Sequence, residues 1–219
     1  MSLFISFEGI EGCGKTTQAD LLNSFLISLG YSCLVTREPG GTKIGDQIRL
    51  MLLQSENVDL TLKAELFLYI ASRAQHVEEV ILPALKEGKV VICDRFIDST
   101  IVYQGLVQGI DLNIIDDLNR IATSGIKPDL TFFIDCPVEM GLKRAWTRCE
   151  LKDQEVDDTR FESKELDFHY KVRNGYLKLA RKEPERIRVI DGNRDVLIIH
   201  GEISSIVSEK LKEKPKGLR

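Results

Sequence analysis

Five short runs of the chain, residues 3–7, 32–36, 90–93, 130–134 and 187–190, are almost continuously apolar and rich in β-branched side chains. A strand with one wet face alternates apolar and polar residues, so unbroken apolarity predicts strands of a parallel sheet covered on both faces. Around them lie stretches in which apolar residues recur every three or four positions: 16–29, 44–53, 62–86, 112–123, 138–150, 163–182 and 196–212. That spacing is the signature of amphipathic helices. Strand and helix in alternation predict an α/β fold, with a five-stranded parallel sheet flanked by helices on both faces. Ligands in such sheets bind beyond the carboxyl ends of the strands, so the residues that follow each strand carry the functional information.

Directly after the first run comes Gly9-Ile10-Glu11-Gly12-Cys13-Gly14-Lys15-Thr16-Thr17, which satisfies G-x-x-x-x-G-K-[ST] between a strand and a helix. Glycines let successive backbone N–H groups point into one concavity, and the helix N-terminus adds its positive dipole end. The pattern predicts a phosphate-binding loop and a P-loop NTPase fold, with Lys15 on the β- and γ-phosphates and Thr16 on Mg²⁺. The glycine spacing differs from the G-x-G-x-x-G of dinucleotide folds, which argues against a nicotinamide enzyme.

Composition narrows the partners. With 219 residues, 43% hydrophobic and 29% charged, the chain has the make-up of an ordinary globular protein, and no composition shift or linker marks a domain boundary. A formal net charge of −4 argues against a nucleic-acid or anionic-membrane surface, so an anionic substrate has to be held by locally clustered arginines. No apolar run approaches the ~18 residues of a membrane-spanning helix, and residues 1–7 lack the basic start of a signal peptide. Five cysteines without a C-x-x-C pair, mostly in apolar runs, point to a reduced, cytoplasmic chain. His76, His169 and His200 show no metal spacing, so no structural metal is expected. The densely charged stretch 152–162 reads as a mobile excursion and 210–219 as a frayed end.

The other strand ends add candidates. Arg37-Glu38-Pro39-Gly40-Gly41-Thr42 is either a close backbone approach to a ligand or an ordinary turn capped by Thr42. The third run ends in Asp94-Arg95-Phe96, where the carboxylate is the expected Mg²⁺ partner of a phosphate loop and Arg95 supplies a phosphate fork or a structural ion pair. Glu65, Tyr69 and Arg73 share a helix face, able to stack on and hydrogen-bond a base, or to serve as core plus a salt bridge. Ser99, Thr100, Tyr103 and Gln104 gather polar groups on a helical turn, suited to base or sugar recognition or, for Asp98 and Ser99, to helix capping alone. Arg144 and Arg148 share a helix face and Arg160 sits in the charged excursion, a set that alone reads as a solvated basic face.

Taken in order, the phosphate loop, Arg37-Glu38-Pro39-Gly40-Gly41, Ser72-Arg73-Ala74-Gln75-His76, Asp94-Arg95-Phe96, Ser99-Thr100-x-x-Tyr103-Gln104-Gly105 and Thr159-Arg160-Phe161-Glu162 resemble the thymidylate kinase family in its bacterial form over nearly the whole chain. The resemblance implies transfer of the γ-phosphoryl group of ATP to dTMP, giving dTDP and ADP, by a homodimer using Mg²⁺. It implies that Lys15 and Thr16 hold ATP phosphates and Mg²⁺, and that Arg95, with Arg37 as a weaker candidate, holds the dTMP phosphate. Glu11 matches an acidic residue near the sugar, Arg73 one that bonds the thymine edge, and Thr100 and Gln104 ones that contact the base. Tyr103 closes the space of a ribose 2′-hydroxyl, and Tyr69 stands where a stacking Phe is common. Since loop positions 10–13 hold no basic residue, Arg148 and Arg160 match the arginines of a short lid, about residues 144–162, that supply charge in the transition state. A different nucleoside monophosphate or small-metabolite kinase shares the loop and Asp94 but not Tyr69/Arg73 with Tyr103/Gln104; a GTP switch carries an Asn-Lys-x-Asp motif that is absent.

Overall fold

A computed structural model describes residues 2–53, 59–151 and 164–213, with backbone only at 148–151. Strands β1 (Leu3–Glu8), β2 (Cys33–Arg37), β3 (Val90–Asp94), β4 (Leu130–Asp135) and β5 (Ile187–Asp191) form one parallel sheet in the order β2-β3-β1-β4-β5. The helices are α1 (Lys15–Ser28), α2 (Lys43–Leu53), α3 (Leu62–His76), α4 (Leu82–Lys86), α5 (Ile97–Thr100), α6 (Leu112–Ala122), α7 (Val138–Leu151), α8 (Leu166–Lys182) and α9 (Val196–Glu213).

The central strand explains the apolar runs. β1 is buried along its whole length, with Leu3, Ile5 and Phe7 in the larger core under α1, α8 and α9, and Phe4 in a second core with Val77, Ile81, Val91, Cys93 and Phe96. Burial on both faces is what removes alternation. Because β1 lies between β3 and β4, the chain leaves it in one direction for β2 and β3 and crosses back for β4 and β5, which opens a crevice at its carboxyl end. Register places Phe7 beside Asp94 and Asp94 beside Arg37, so the loops after β1, β2 and β3 emerge side by side.

Two segments depart from the helices read in the sequence. The stretch 62–86 is not one α-helix: α3 passes through a π-helical turn at Val77–Ile81 into α4. α5 likewise runs into a π-helical turn at Ile101–Val107, closed by the Gln108 N–H donating to the Tyr103 carbonyl at 3.0 Å. Hydrophobic spacing over so few residues does not separate a 3.6-residue turn from a wider one, and π turns concentrate at functional sites. Helix α8 begins at Leu166, three residues later than the periodicity from 163 predicts. No helix among the described residues is long and apolar enough to cross a membrane.

Candidate active site

The loop after β1 closes tightly because its glycines permit it. Gly12 has φ 68°, and a Cβ there would sit 1.9 Å from the Gly141 carbonyl oxygen of α7; one on Gly9, at φ 145°, would sit 2.8 Å from the Ile134 carbonyl. Only glycine lets this backbone curl against α7 and the end of β4. Lys15, buried in the first turn of α1, donates from Nζ to the carbonyls of Gly9 at 3.1 Å and Ile10 at 2.8 Å, so its ammonium lies across the loop. The Cys13 thiol is buried beneath it, and burial pushes that thiol up from its ordinary value, against a reactive role. The Thr16 hydroxyl donates to Asp94 Oδ2 at 2.6 Å. A hydroxyl and a carboxylate thus meet where the loop and β3 end, hard oxygen donors of the kind Mg²⁺ prefers. Among the described residues no three His, Cys, Asp or Glu gather to hold a metal unaided, so a cation here would share its coordination with phosphate oxygens and water.

Arg95 follows β3 in the left-handed region, φ 69°, uncommon for a side chain of this size. Its N–H donates to the Phe7 carbonyl at 2.9 Å, and the next N–H, of Phe96, donates to Glu8 Oε1 at 2.8 Å; these bonds hold the turn that aims the guanidinium. Nη2 donates to Glu11 Oε1 at 3.0 Å, and Nη1 to Ser99 Oγ at 3.3 Å and Tyr176 Oη at 3.4 Å. Of the five N–H groups, Nε–H and one on Nη2 stand without a partner among the described residues, on neighbouring nitrogens that can serve one anion. Burial works against the charge, but the oxygens of Tyr103, Glu11, Tyr176 and Glu8 outweigh it and hold Arg95 well above its ordinary value. Glu11 also accepts from Tyr103 Oη at 2.7 Å. Burial raises this carboxyl, yet His169, the charges of Arg95 and Lys15, and Tyr103 together hold it well below the usual carboxylate range. His169 of α8 is fully buried with Nδ1 3.5 Å from Glu11 Oε2, a charge-range contact; neither of its nitrogens has an aligned hydrogen bond among the described residues.

Arg73 is 1% exposed and largely committed to the protein. Nε donates to Glu38 Oε2 at 2.8 Å, Nη1 to Thr100 Oγ1 at 3.0 Å and Asn119 Oδ1 at 2.6 Å, and Nη2 to the Phe96 carbonyl at 3.1 Å. Among the described residues one N–H on Nη2 has no partner. Glu38 is buried too, its second oxygen 3.0 Å from His76 Nδ1, while His76 Nε2 meets Thr36 Oγ1 at 2.6 Å. The sequence motifs contain Glu38 and His76, but nothing in their spacing shows that they frame Arg73 from behind. The π turn sends neighbouring residues to different partners: Tyr103 reaches Glu11, and Gln104 donates to buried Glu65 at 2.8 Å. Helix capping does not account for Asp98 and Ser99. Asp98 takes two bonds from Arg186, each 2.7 Å, and the Ser99 hydroxyl donates to Glu8 at 2.7 Å. Thr42 does cap its helix, accepting from the Gly45 N–H at 2.9 Å.

One cavity of about 1030 Å³ connects these groups. Its lining includes Glu11, Gly12, Gly14, Lys15, Thr16 and Thr17 of the loop and α1, Asp94, and Arg144, together with Arg37, Tyr69, Arg73, Arg95, Ser99, Thr100, Tyr103 and Gln104. Gly9, Ile10 and Cys13 lie in the loop behind it, joined to Lys15 as described. Arg37 and Arg144 are exposed side chains at its rim. Arg148 stands in α7 with its side chain outside the described residues, and Arg160, like the stretch 152–163, lies outside them altogether.

The sequence profile of a family described as "Thymidylate kinase" matches residues 7–203. The chain is 56% identical to the thymidylate kinase of Desulfosudis oleivorans over 86% of its own length and 88% of that protein's, and 51% identical to that of a Geobacter species over 100% and 95%. The crystal structure of the thymidylate kinase from Ehrlichia chaffeensis superposes with a TM-score of 0.74 at 38% identity, covering 94% of this chain and 98% of that one.

Proposed function

The chain belongs to the thymidylate kinase family, and from that membership and the geometry of its cavity we infer that it transfers the γ-phosphoryl group of ATP to dTMP, giving dTDP and ADP. The observation that carries the reading is one cavity lined both by the phosphate loop and by Arg95, which has two N–H groups to spare, and buried Arg73, which has one. The loop N–H groups and Lys15 take the ATP phosphates, and the Thr16 hydroxyl and Asp94 carboxylate hold Mg²⁺ beside them. When bound, Mg²⁺ neutralises charge on the β- and γ-phosphate oxygens.

The fork of Arg95 holds the dTMP phosphate. Arg73, Thr100 and Gln104 line the place of the base, with Tyr69 as its stacking face. Tyr103, fixed by its bond to Glu11, fills the space beside the sugar where a 2′-hydroxyl would lie. The acceptor needs no dedicated base, because a phosphate monoester with its second pKa near ~6 is mostly a dianion at neutral pH. Positioning and cations supply the catalysis of a loose phosphoryl transfer, with Arg148 and Arg160 of the lid completing the charge.

The enzyme acts as a cytoplasmic homodimer on free nucleotides, not on nucleic acid or membranes. Supporting the dimer, α2, α3 and α6 pack side by side and expose Ile44, Leu50, Met51, Leu62, Phe67, Ile114 and Ile121, apolar surface that a second copy would cover. A coupled ADP-release assay with ATP, Mg²⁺ and dTMP, dUMP, 5-methyl-UMP, dCMP, AMP and GMP tests the function. dTMP should give the highest kcat/KM, and an equal or higher value for AMP or GMP refutes it.

A further inference from the structure

Arg95 is gripped from behind by two hydroxyls that phosphoryl transfer does not itself require. Ser99 Oγ and Tyr176 Oη stand 3.3 Å and 3.4 Å from Nη1, and both stand 2.7 Å from the same oxygen, Oε2 of Glu8. Glu8 is fully buried at the end of β1, and its other oxygen accepts from the backbone N–H groups of Phe96 at 2.8 Å and Ser99 at 3.2 Å.

A hydroxyl has one hydrogen to give. With Glu8 ionised, and therefore only an acceptor, both hydroxyls point their hydrogens at Oε2 and turn their lone pairs to the two N–H groups of Nη1. The 3.0 Å approach of Ser99 Oγ to Tyr176 Oη then carries no hydrogen. A proton on Oε2 reverses this order. The acid donates to one hydroxyl, whose own hydrogen turns towards the other across that 3.0 Å, so each hydroxyl oxygen then accepts a second hydrogen beside that of Arg95. The acceptors that hold the guanidinium are shared, and the negative charge behind it is lost.

We propose that Glu8 is a positioning residue: its ionised carboxylate orients Ser99 and Tyr176 so that both accept from Arg95 and aim the free fork of the guanidinium at the dTMP phosphate, and protonation of Glu8 loosens that aim and weakens dTMP binding. The inference rests on Arg95 as the phosphate-holding residue. The switch operates near neutral pH, because burial and the Asp98 carboxylate push Glu8 up to about 7 against the opposing effects of Arg95, the Ser99 hydroxyl and the Phe96 N–H. The ionisable groups facing Glu8 are Asp98 of α5, itself paired with Arg186, Arg95, the Tyr176 phenol of α8 and the Cys93 thiol of β3. Since the ionised form is the aligned one, affinity falls as pH drops through that region.

Calorimetric titration of dTMP from about pH 6 to about pH 8.5, with thymidine as a probe that lacks the phosphate, tests this on the parent, Glu8→Gln, Tyr176→Phe and Arg95→Lys. Glu8→Gln keeps an acceptor for the two backbone N–H groups and puts a donor where Oε2 stood. For the parent, dTMP affinity should fall on acidification by more than the ligand's own ionisation near ~6 explains. Glu8→Gln should be about tenfold weaker at the alkaline end and retain only the ligand's own pH dependence, the scale of one hydrogen bond to a charged group. Tyr176→Phe should raise the KM for dTMP about three- to tenfold, with kcat and the KM for ATP nearly unchanged. Thymidine affinity should not move in either. Parental affinity and pH slope in both Glu8→Gln and Tyr176→Phe, while Arg95→Lys loses dTMP, overturns the role of Glu8. Parental affinity in Arg95→Lys removes its premise instead.

Discussion

Replacing Arg73 by alanine should cost the protein its stability as well as its substrate. The guanidinium is 1% exposed and makes four hydrogen bonds inside the protein, one of them to the buried carboxylate of Glu38 at 2.8 Å, with the Phe96 ring 5.4 Å beneath it. Alanine leaves Glu38 with His76 at 3.0 Å as its remaining described side-chain partner and strands Thr100 and Asn119. Removing one member of a buried ion pair costs about 3–5 kcal/mol, because an uncompensated charge stays behind. For a chain of this size each kcal/mol moves the midpoint by about 2–4 °C, so Arg73→Ala should lower Tm by about 6–20 °C. The double variant Arg73→Met with Glu38→Gln removes both charges and should recover most of that loss without recovering dTMP turnover. Differential scanning calorimetry and kcat/KM for dTMP would be measured on both. A Tm for Arg73→Ala within about 3 °C of the parent, less than about 1.5 kcal/mol, refutes the structural half of the argument. Full activity in the double variant refutes the contact with the base.

Lys15→Met should abolish phosphoryl transfer while leaving dTMP affinity within a few-fold, since Lys15 serves the ATP end of the cavity; dTMP titration beside the turnover assay checks both. Tyr103→Ala should lower the ratio of kcat/KM for dTMP to that for 5-methyl-UMP, whereas Tyr103→Phe, which keeps the ring and loses the hydroxyl that bonds Glu11, should not; an unchanged ratio in the alanine variant makes Tyr103 structural. Arg148→Ala or Arg160→Ala should lose kcat by about 10³ or more with Tm nearly unchanged; retention within about threefold in both moves the compensating cation to Arg37 or Arg144. Glu8 gives a pH signature in stability. Its folded value lies near 7 against 4.5 ordinarily, so the folded protein holds a proton that the unfolded chain releases, and the parent loses stability as pH rises across that interval. Glu8→Gln should therefore match the parent's Tm near about pH 4.5 and exceed it by several degrees above about pH 7; calorimetry that shows no growth of the difference with pH rejects the raised value.

The parts of this fold that the sequence displays are those whose cause is local. A strand buried on both faces has little room for polar residues, which is why β1, β3 and β4 stand out as nearly unbroken apolar runs, their buried Ser6 and Thr131 satisfying each other at 2.7 Å, and the loop at 9–16 needs its glycines where α7 and β4 come within contact of the backbone. The two π turns left no trace, because an extra residue in one turn shifts apolar spacing by less than the pattern resolves. Candidate residues placed at strand ends reached a common cavity because a parallel sheet delivers all its carboxyl ends to one side, a property of the topology and independent of each residue's chemistry.

What stayed hidden is the second layer, and its reason is distance along the chain. Glu8 and Tyr176 are 168 residues apart, Arg186 and Asp98 are 88 apart, and neither pair has a local spacing to betray it. As the residue after an apolar run and as a histidine without metal spacing, Glu8 and His169 carry no local signal, although Glu8 binds the Phe96 N–H and His169 lies 3.5 Å from Glu11, both beside the cavity. A buried carboxylate closing a central strand is nevertheless a legible sign: ionised burial demands several donors, and in a parallel sheet those donors must come from the loop after the neighbouring strand. Here that loop is Arg95-Phe96 with Ser99 of α5 behind it, so the position of Glu8 in β1 points to a turn at Arg95 built on its carboxylate.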